Sequence, residues 1–143
     1  MIGAFLAKKA ALDAFAAMNR HDLDRFMDAW GDDPELEFPG DSVLGGRYRG
    51  RGEIRDWFAR WWDRFPQTEF TIRSISVEDI LALGGTNTIH VEWDLRETDR
   101  AGRTFELSGV TALRARGGKV QSVRDYLLDP AVVAEAWVAP MPG

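Results

Sequence analysis

The sequence predicts an α+β domain in which three main helices cover one face of a strongly curved, mostly antiparallel sheet. Two observations predict it. Helical periodicity dominates the first half of the chain, and a meander of long strand-like segments follows Pro66. A third is the parity shift of apolar residues within 68–79, from Phe70 and Ile72 to Ile75 and Val77. A β-bulge does this, and bulges bend sheets.

The elements follow in order. Residues 2–18 are Ala-rich with Phe5, Leu12, Phe15 and Met18, which suits an amphipathic helix. A short helix over about 21–30 carries Leu23, Phe26, Met27 and Trp30. The segment GDDPE stops it, and Leu36-Glu37-Phe38 makes a short strand. GDSVLGGRYRGRG is a Gly-rich loop without the Gly-Lys-Ser/Thr ending of a phosphate loop. Residues 51–65 form the clearest helix, with Ile54, Trp57, Phe58, Trp61 and Phe65 on one stripe and Pro66 after it. Strands follow at about 68–79, 86–98, 103–115 and 119–128, and PAVVAEAWVAPMPG allows a last short helix before a Pro-broken end.

Bulk properties narrow the function. The chain of 143 residues reads as one domain, 1–143, with no linker or repeat. A net charge of −5 disfavours a nucleic-acid partner. With no Cys and only His21 and His90, thiolate chemistry, Cys-based metal sites and a three-His site are excluded; neither metal nor cofactor is expected. No apolar run approaches the ~20 residues of a membrane span, and MIGAFLA precedes its lysines rather than following them. The expectation is a cytoplasmic protein without a membrane partner. Six Trp and eight Phe are many, and such aromatics build cores, interfaces and apolar pockets.

Hairpin arithmetic places the candidate chemistry. DRAG suits a turn with a Gly bulge at Gly102, so Asp94 opposes Ser108. A two-residue turn at Gly117-Gly118 makes Arg116 oppose Lys119 and Val110 oppose Asp125. Asp94 and Asp125 then point to the same face, roughly 12 Å apart on a flat sheet at ~4.8 Å per strand and ~3.4 Å per residue. His90, Glu92 and Val110 share that face. By alternation alone, a polar strand side meets water. The other side carries Val91, Trp93 and Leu113.

The pattern FPGDSVLGGRYRGRGEIRDWF, then long strands, then GGKVQSVRDYLLD resembles the SnoaL-like polyketide cyclase group of the nuclear-transport-factor-2-like (ketosteroid isomerase-like) superfamily. The resemblance covers nearly the whole chain. It implies a deep apolar pocket between helices and curved sheet, and a homodimer through the outer sheet face. The strand HVEWDL is similar to that of limonene epoxide hydrolases; Asp94 matches their Asp, and Glu92 stands where they have Arg. Asp125 matches the Asp of their closing strand. The implied catalytic pair is Asp94 and Asp125, with His90 and Glu92 in support. Glu37 stands where many relatives have a pocket His. Trp57, Phe58 and Trp61 are expected as core and pocket wall, with Val110 beside them. The expected function is cofactor-independent acid/base chemistry on a small apolar oxygenated molecule; the alternative is a ligand-binding or dimerisation module of the same fold.

Overall fold

A computed structural model describes residues 2–40 and 42–140. Its elements are α1 (Ile2–Asn19), α2 (Leu23–Asp28), β1 (Trp30–Phe38), β2 (Gly46–Arg49), α3 (Gly50–Arg64), β3 (Gln67–Val77), β4 (Asn87–Thr98), β5 (Thr104–Arg116), β6 (Lys119–Leu127) and α4 (Pro130–Val138). One curved, open sheet runs in the order β2-β1-β6-β5-β4-β3. All neighbouring strands are antiparallel except β1 and β6. The expected α+β class and its elements stand. The Gly-rich segment read as loop contains one additional strand, β2, and the short strand at Leu36–Phe38 is the end of a longer one. The Pro-broken end at 141–143 lies outside the described residues.

Local signals account for the helix ends. Asp22 caps α2 by accepting from the Arg25 backbone N–H, and Asp129 caps α4 by accepting from that of Ala131, with Pro130 in the first turn. At the start of α3 the Glu53 carboxylate reaches back to the Arg49 N–H at 2.8 Å. The α3 stripe is buried as expected, and Phe65 after it is fully enclosed. Arg64 donates to the carbonyls of Ala136 and Ala139 at the end of α4, where the helix leaves acceptors unsatisfied.

The helices pack on the sheet face formed by Ile89, Val91, Trp93 and Leu95 of β4 with Leu107 and Leu113 of β5, all buried. This corrects the expected orientation. Burying Val91, Trp93 and Leu113 under the helices removes more apolar surface from water than an outer interface would, and leaves the charged side wet. His90 and Glu92 are exposed on that outer side, where Asp94 also lies.

Two bulges shape the sheet. In β3 the register shifts between Ile72 and Ser74, as the parity pattern predicted, and Arg73 is the extra residue. In β6 it shifts between the rungs Arg114↔Ser122 and Ala115↔Val120, leaving Gln121 extra. Gln121 sits against Gly31, in the stretch of β1 where its parallel ladder with β6 skips from Trp30 to Glu35. The Gly117-Gly118 turn is as expected, with φ of +57° and +77° and Arg116 opposite Lys119. The second bulge then reverses the facing of every later residue on β6.

Candidate functional site

The consequence falls on Asp125. It opposes Thr111 rather than Val110, so its side chain turns inward while Val110 opposes Tyr126. Asp94 opposes Ser108 as expected, on the outer side. The two aspartates therefore lie on opposite faces of the sheet, and the expected shared pocket is corrected: one unpaired residue changes parity.

A cavity of about 90 Å³ lies between the inner face and the helices. Aromatic and aliphatic side chains form nearly all of its wall, with Trp57, Phe58 and Trp61 from α3 among them, as expected. Two carboxyl-bearing residues and one hydroxyl-bearing residue interrupt it: Glu97, Asp125 and Thr111.

Asp125 is the end of a hydrogen-bond chain. The Trp93 indole N–H donates to Thr111 Oγ1 at 2.9 Å, and Thr111 Oγ1 donates to Asp125 Oδ1 at 2.5 Å. An indole nitrogen only donates, so Thr111 Oγ1 accepts from Trp93 and its single hydrogen goes to the ionised Asp125 carboxylate, which only accepts. The residue is half-buried overall, but its carboxyl is the enclosed part. Burial pushes that carboxyl up to about 6, against the Thr111 hydrogen bond that lowers it.

Gly109 makes the chain possible. Trp93 crosses β5 at Gly109, its rung partner, to reach Thr111. A Cβ at Gly109 would lie 2.4 Å from the Tyr126 carbonyl oxygen and 2.8 Å from the Trp93 ring.

Glu97 is the other cavity carboxyl, a residue outside the expected site set. It is 3% exposed and accepts from the Trp61 indole N–H at 2.8 Å. Burial raises it to about 7, outweighing the Trp61 hydrogen bond and the Arg64 charge. Its sequence signal was parity: Glu97 continues the row Ile89, Val91, Trp93, Leu95, an acid on an apolar side. Glu97 opposes Phe105 and Asp125 opposes Thr111. Six residues of β5 separate those rungs, roughly 20 Å of strand at ~3.4 Å each. The two carboxyls serve different ends of the cavity.

The remaining expected site residues lie outside it. Asp94 accepts from Ser108 Oγ and from Arg73 Nε, each at 2.6 Å, and these hold its carboxyl below the usual range, the Ser108 bond most strongly. Glu92 receives a long 3.4 Å bond from Ser74. Glu37 is ion-paired with Arg124 at 2.8 Å and Arg47 at 3.7 Å on the outer side of β1. His90 and Val110 take no part in the wall. His21, which reads as a surface residue, is half-buried, stacked on Trp62 with ring centroids 4.8 Å apart, and bonded to Thr68 Oγ1 at 2.6 Å. Among the described residues, no three His, Asp or Glu side chains converge as a metal-ligand set.

The SnoaL-like domain family matches residues 11–123, most of the chain. The chain belongs to the SnoaL-like family. An uncharacterised protein of Mycobacterium tuberculosis is 27% identical over 123 residues, covering 86% of this chain and 89% of that one. Among solved structures, a nuclear-transport-factor-2-like protein of Burkholderia xenovorans is 25% identical with a TM-score of 0.69, covering 92% of this chain and 95% of that one. TerC, co-crystallised with polyporic acid, is 20% identical with a TM-score of 0.75, covering 94% and 99%. The SnoaL-like fold thus accounts for the curved sheet and the helices over it. No helix among the described residues is long and apolar enough to cross a membrane.

Proposed function

We propose that the cavity performs acid/base chemistry on a small apolar oxygenated molecule, of the cyclisation, isomerisation or hydrolysis type, without a cofactor. Asp125 is the proton carrier. The observation that carries this is the Asp125 carboxyl at one end of an apolar cavity, aimed by Thr111 and raised to about 6. A carboxyl poised there exists in both protonation states near neutrality, as a group that takes and returns a proton must. Thr111 occupies Oδ1 and leaves Oδ2 for the reacting proton. The surrounding Trp and Phe side chains exclude water and disfavour charge, which raises the basicity of the ionised form. TerC, of the same fold, was co-crystallised with polyporic acid, an oxygenated organic molecule.

The cavity is smaller than the roughly 300 Å³ at which drug-sized pockets begin. That favours either a compact substrate or, as a second reading, a small-ligand-binding module without turnover. The test is a screen of lactones, epoxides and polyketide-like ketones, followed by Asp125→Asn. Loss of about 10²–10⁴-fold in turnover supports Asp125 as the proton carrier. Binding without turnover in the unaltered protein supports the second reading.

We also propose that the outer sheet face pairs two copies of the chain. Tyr126 is 52% exposed there, beside Val110. Sedimentation at micromolar concentration tests it; a monomer that stays monomeric after Tyr126→Glu and before it rejects this interface.

A further inference from the structure

Among the described residues, the cavity carboxyl at Glu97 has no ion-pair partner within contact distance. The guanidinium whose charge reaches it, that of Arg64, is turned to the Ala136 and Ala139 carbonyls and lies over the Trp137 ring, 5.2 Å from its centroid. Its one donor in the hydrogen-bond network is the Trp61 indole. Buried acids are ordinarily paired, because transfer of a bare charge out of water is costly.

Aromatic rings stand beside it in several planes. Trp61 meets Phe70 at 5.9 Å between centroids with an interplanar angle of 73°, and Phe70 meets Trp93 at 5.3 Å and 89°. All three line the cavity with Glu97. Phe70 opposes Leu95 on β4, and Thr68, two residues before it, opposes Glu97, so these walls are next to the carboxyl. Rings at right angles present faces and edges in turn, and ring faces attract cations. The free space, about 90 Å³, is below the roughly 150 Å³ that admits benzene, so the occupant is compact.

We infer that the Glu97 end of the cavity binds a small alkylammonium ion, with the carboxylate as counter-ion and Trp61, Phe70 and Trp93 as aromatic walls. A cation there supplies the missing charge partner and meets apolar methyl groups with apolar walls. The site shares its cavity and Trp93 with the chemistry proposed at Asp125, whose rung on β5 lies six ladder positions away, so variants at the two carboxyls separate the two readings.

Other charged groups around Glu97 hold their state through the neutral range. Asp99, on the same side of β4, is lowered; burial works to raise it, but the N–H groups and guanidinium of Arg103 and the Ala101 N–H prevail. His21, behind Thr68, is lowered by burial, which favours its neutral form. Asp125 is the other group that titrates in the cavity.

The test is titration with dimethylammonium chloride, followed by calorimetry and tryptophan fluorescence, with ethanol as a neutral probe of similar size. With Glu97 at about 7, the ionised fraction falls roughly thirtyfold between pH 8 and pH 5.5, so cation affinity should fall by about that factor. Glu97→Gln should abolish dimethylammonium binding at pH 8 while circular dichroism reports an intact fold. Three results each overturn the inference: equal affinity for ethanol, affinity independent of pH, or a Glu97→Gln variant that binds as before. Loss of binding in Asp125→Asn but not in Glu97→Gln also overturns it, by moving the cation to the other carboxyl.

Discussion

Thr111 donates a 2.5 Å hydrogen bond to Asp125 across the β5–β6 ladder, and it can do so because its oxygen already accepts from Trp93. Replacing the hydroxyl by a methyl group, Thr111→Val, leaves the Trp93 N–H without an acceptor and the carboxyl without its aiming donor. The expected cost is about 1–3 kcal/mol in chemical denaturation, since an orphaned buried polar group loses its hydration without recompense. The Asp125 carboxyl should titrate above about 6, because the interaction that lowers it is gone. A carbon-13 titration of the side chain that shows no rise would reject the role of Thr111.

Glu97 makes stability depend on pH. Its folded-state value of about 7 lies above the ordinary 4.5, so between those values the native chain holds more protons than the unfolded one. Stability is therefore greatest below about pH 4.5 as far as this group is concerned, and falls as pH rises through 7. The loss has an upper bound of about 3 kcal/mol, from a displacement of about 2.5 units at ~1.36 kcal/mol each. Glu97→Gln should stabilise the protein at pH 8 and do little at pH 4.5. Melting curves at both values decide; equal shifts would mean that the carboxyl is not buried in its charged form. Asp125, also raised, leaves a residual slope of the same sign.

Gly109→Ala places a methyl group in the path of the Trp93 ring and the Tyr126 carbonyl. Overpacking of this kind costs about 1–3 kcal/mol. The near-ultraviolet signal of Trp93 should change, and the Asp125 titration should move with it, because the chain Trp93–Thr111–Asp125 is disturbed. An unchanged near-ultraviolet spectrum with unchanged stability would show that Trp93 is free to move aside.

Asp94→Asn is the control on the opposite face. Its carboxyl is about one-third exposed, and solvent screens surface ion pairs such as that with Arg73. Denaturation should shift little, and any turnover dependent on Asp125 should persist. A variant that folds but has lost turnover would return Asp94 to the chemistry.

The sequence by itself determined the elements and their local pairing. Spacing put Ile54, Trp57, Phe58 and Trp61 on one helical stripe, parity placed a β3 bulge between Ile72 and Ile75, and turn residues set Asp94 against Ser108 and Arg116 against Lys119. These follow from interactions within a few residues or across one tight turn. Only the tertiary structure decided which side of the sheet the helices cover, because alternation separates two faces without saying which is inner. Here the larger apolar area of Val91, Trp93 and Leu113 prevailed over a carboxylate-lined pocket. The facing of Asp125 was decided by Gln121, whose extra position sits against Gly31 on a strand that pairs in parallel from the far end of the chain. No short-range pattern encodes that contact, yet it turns one carboxyl into the cavity and leaves the other in water.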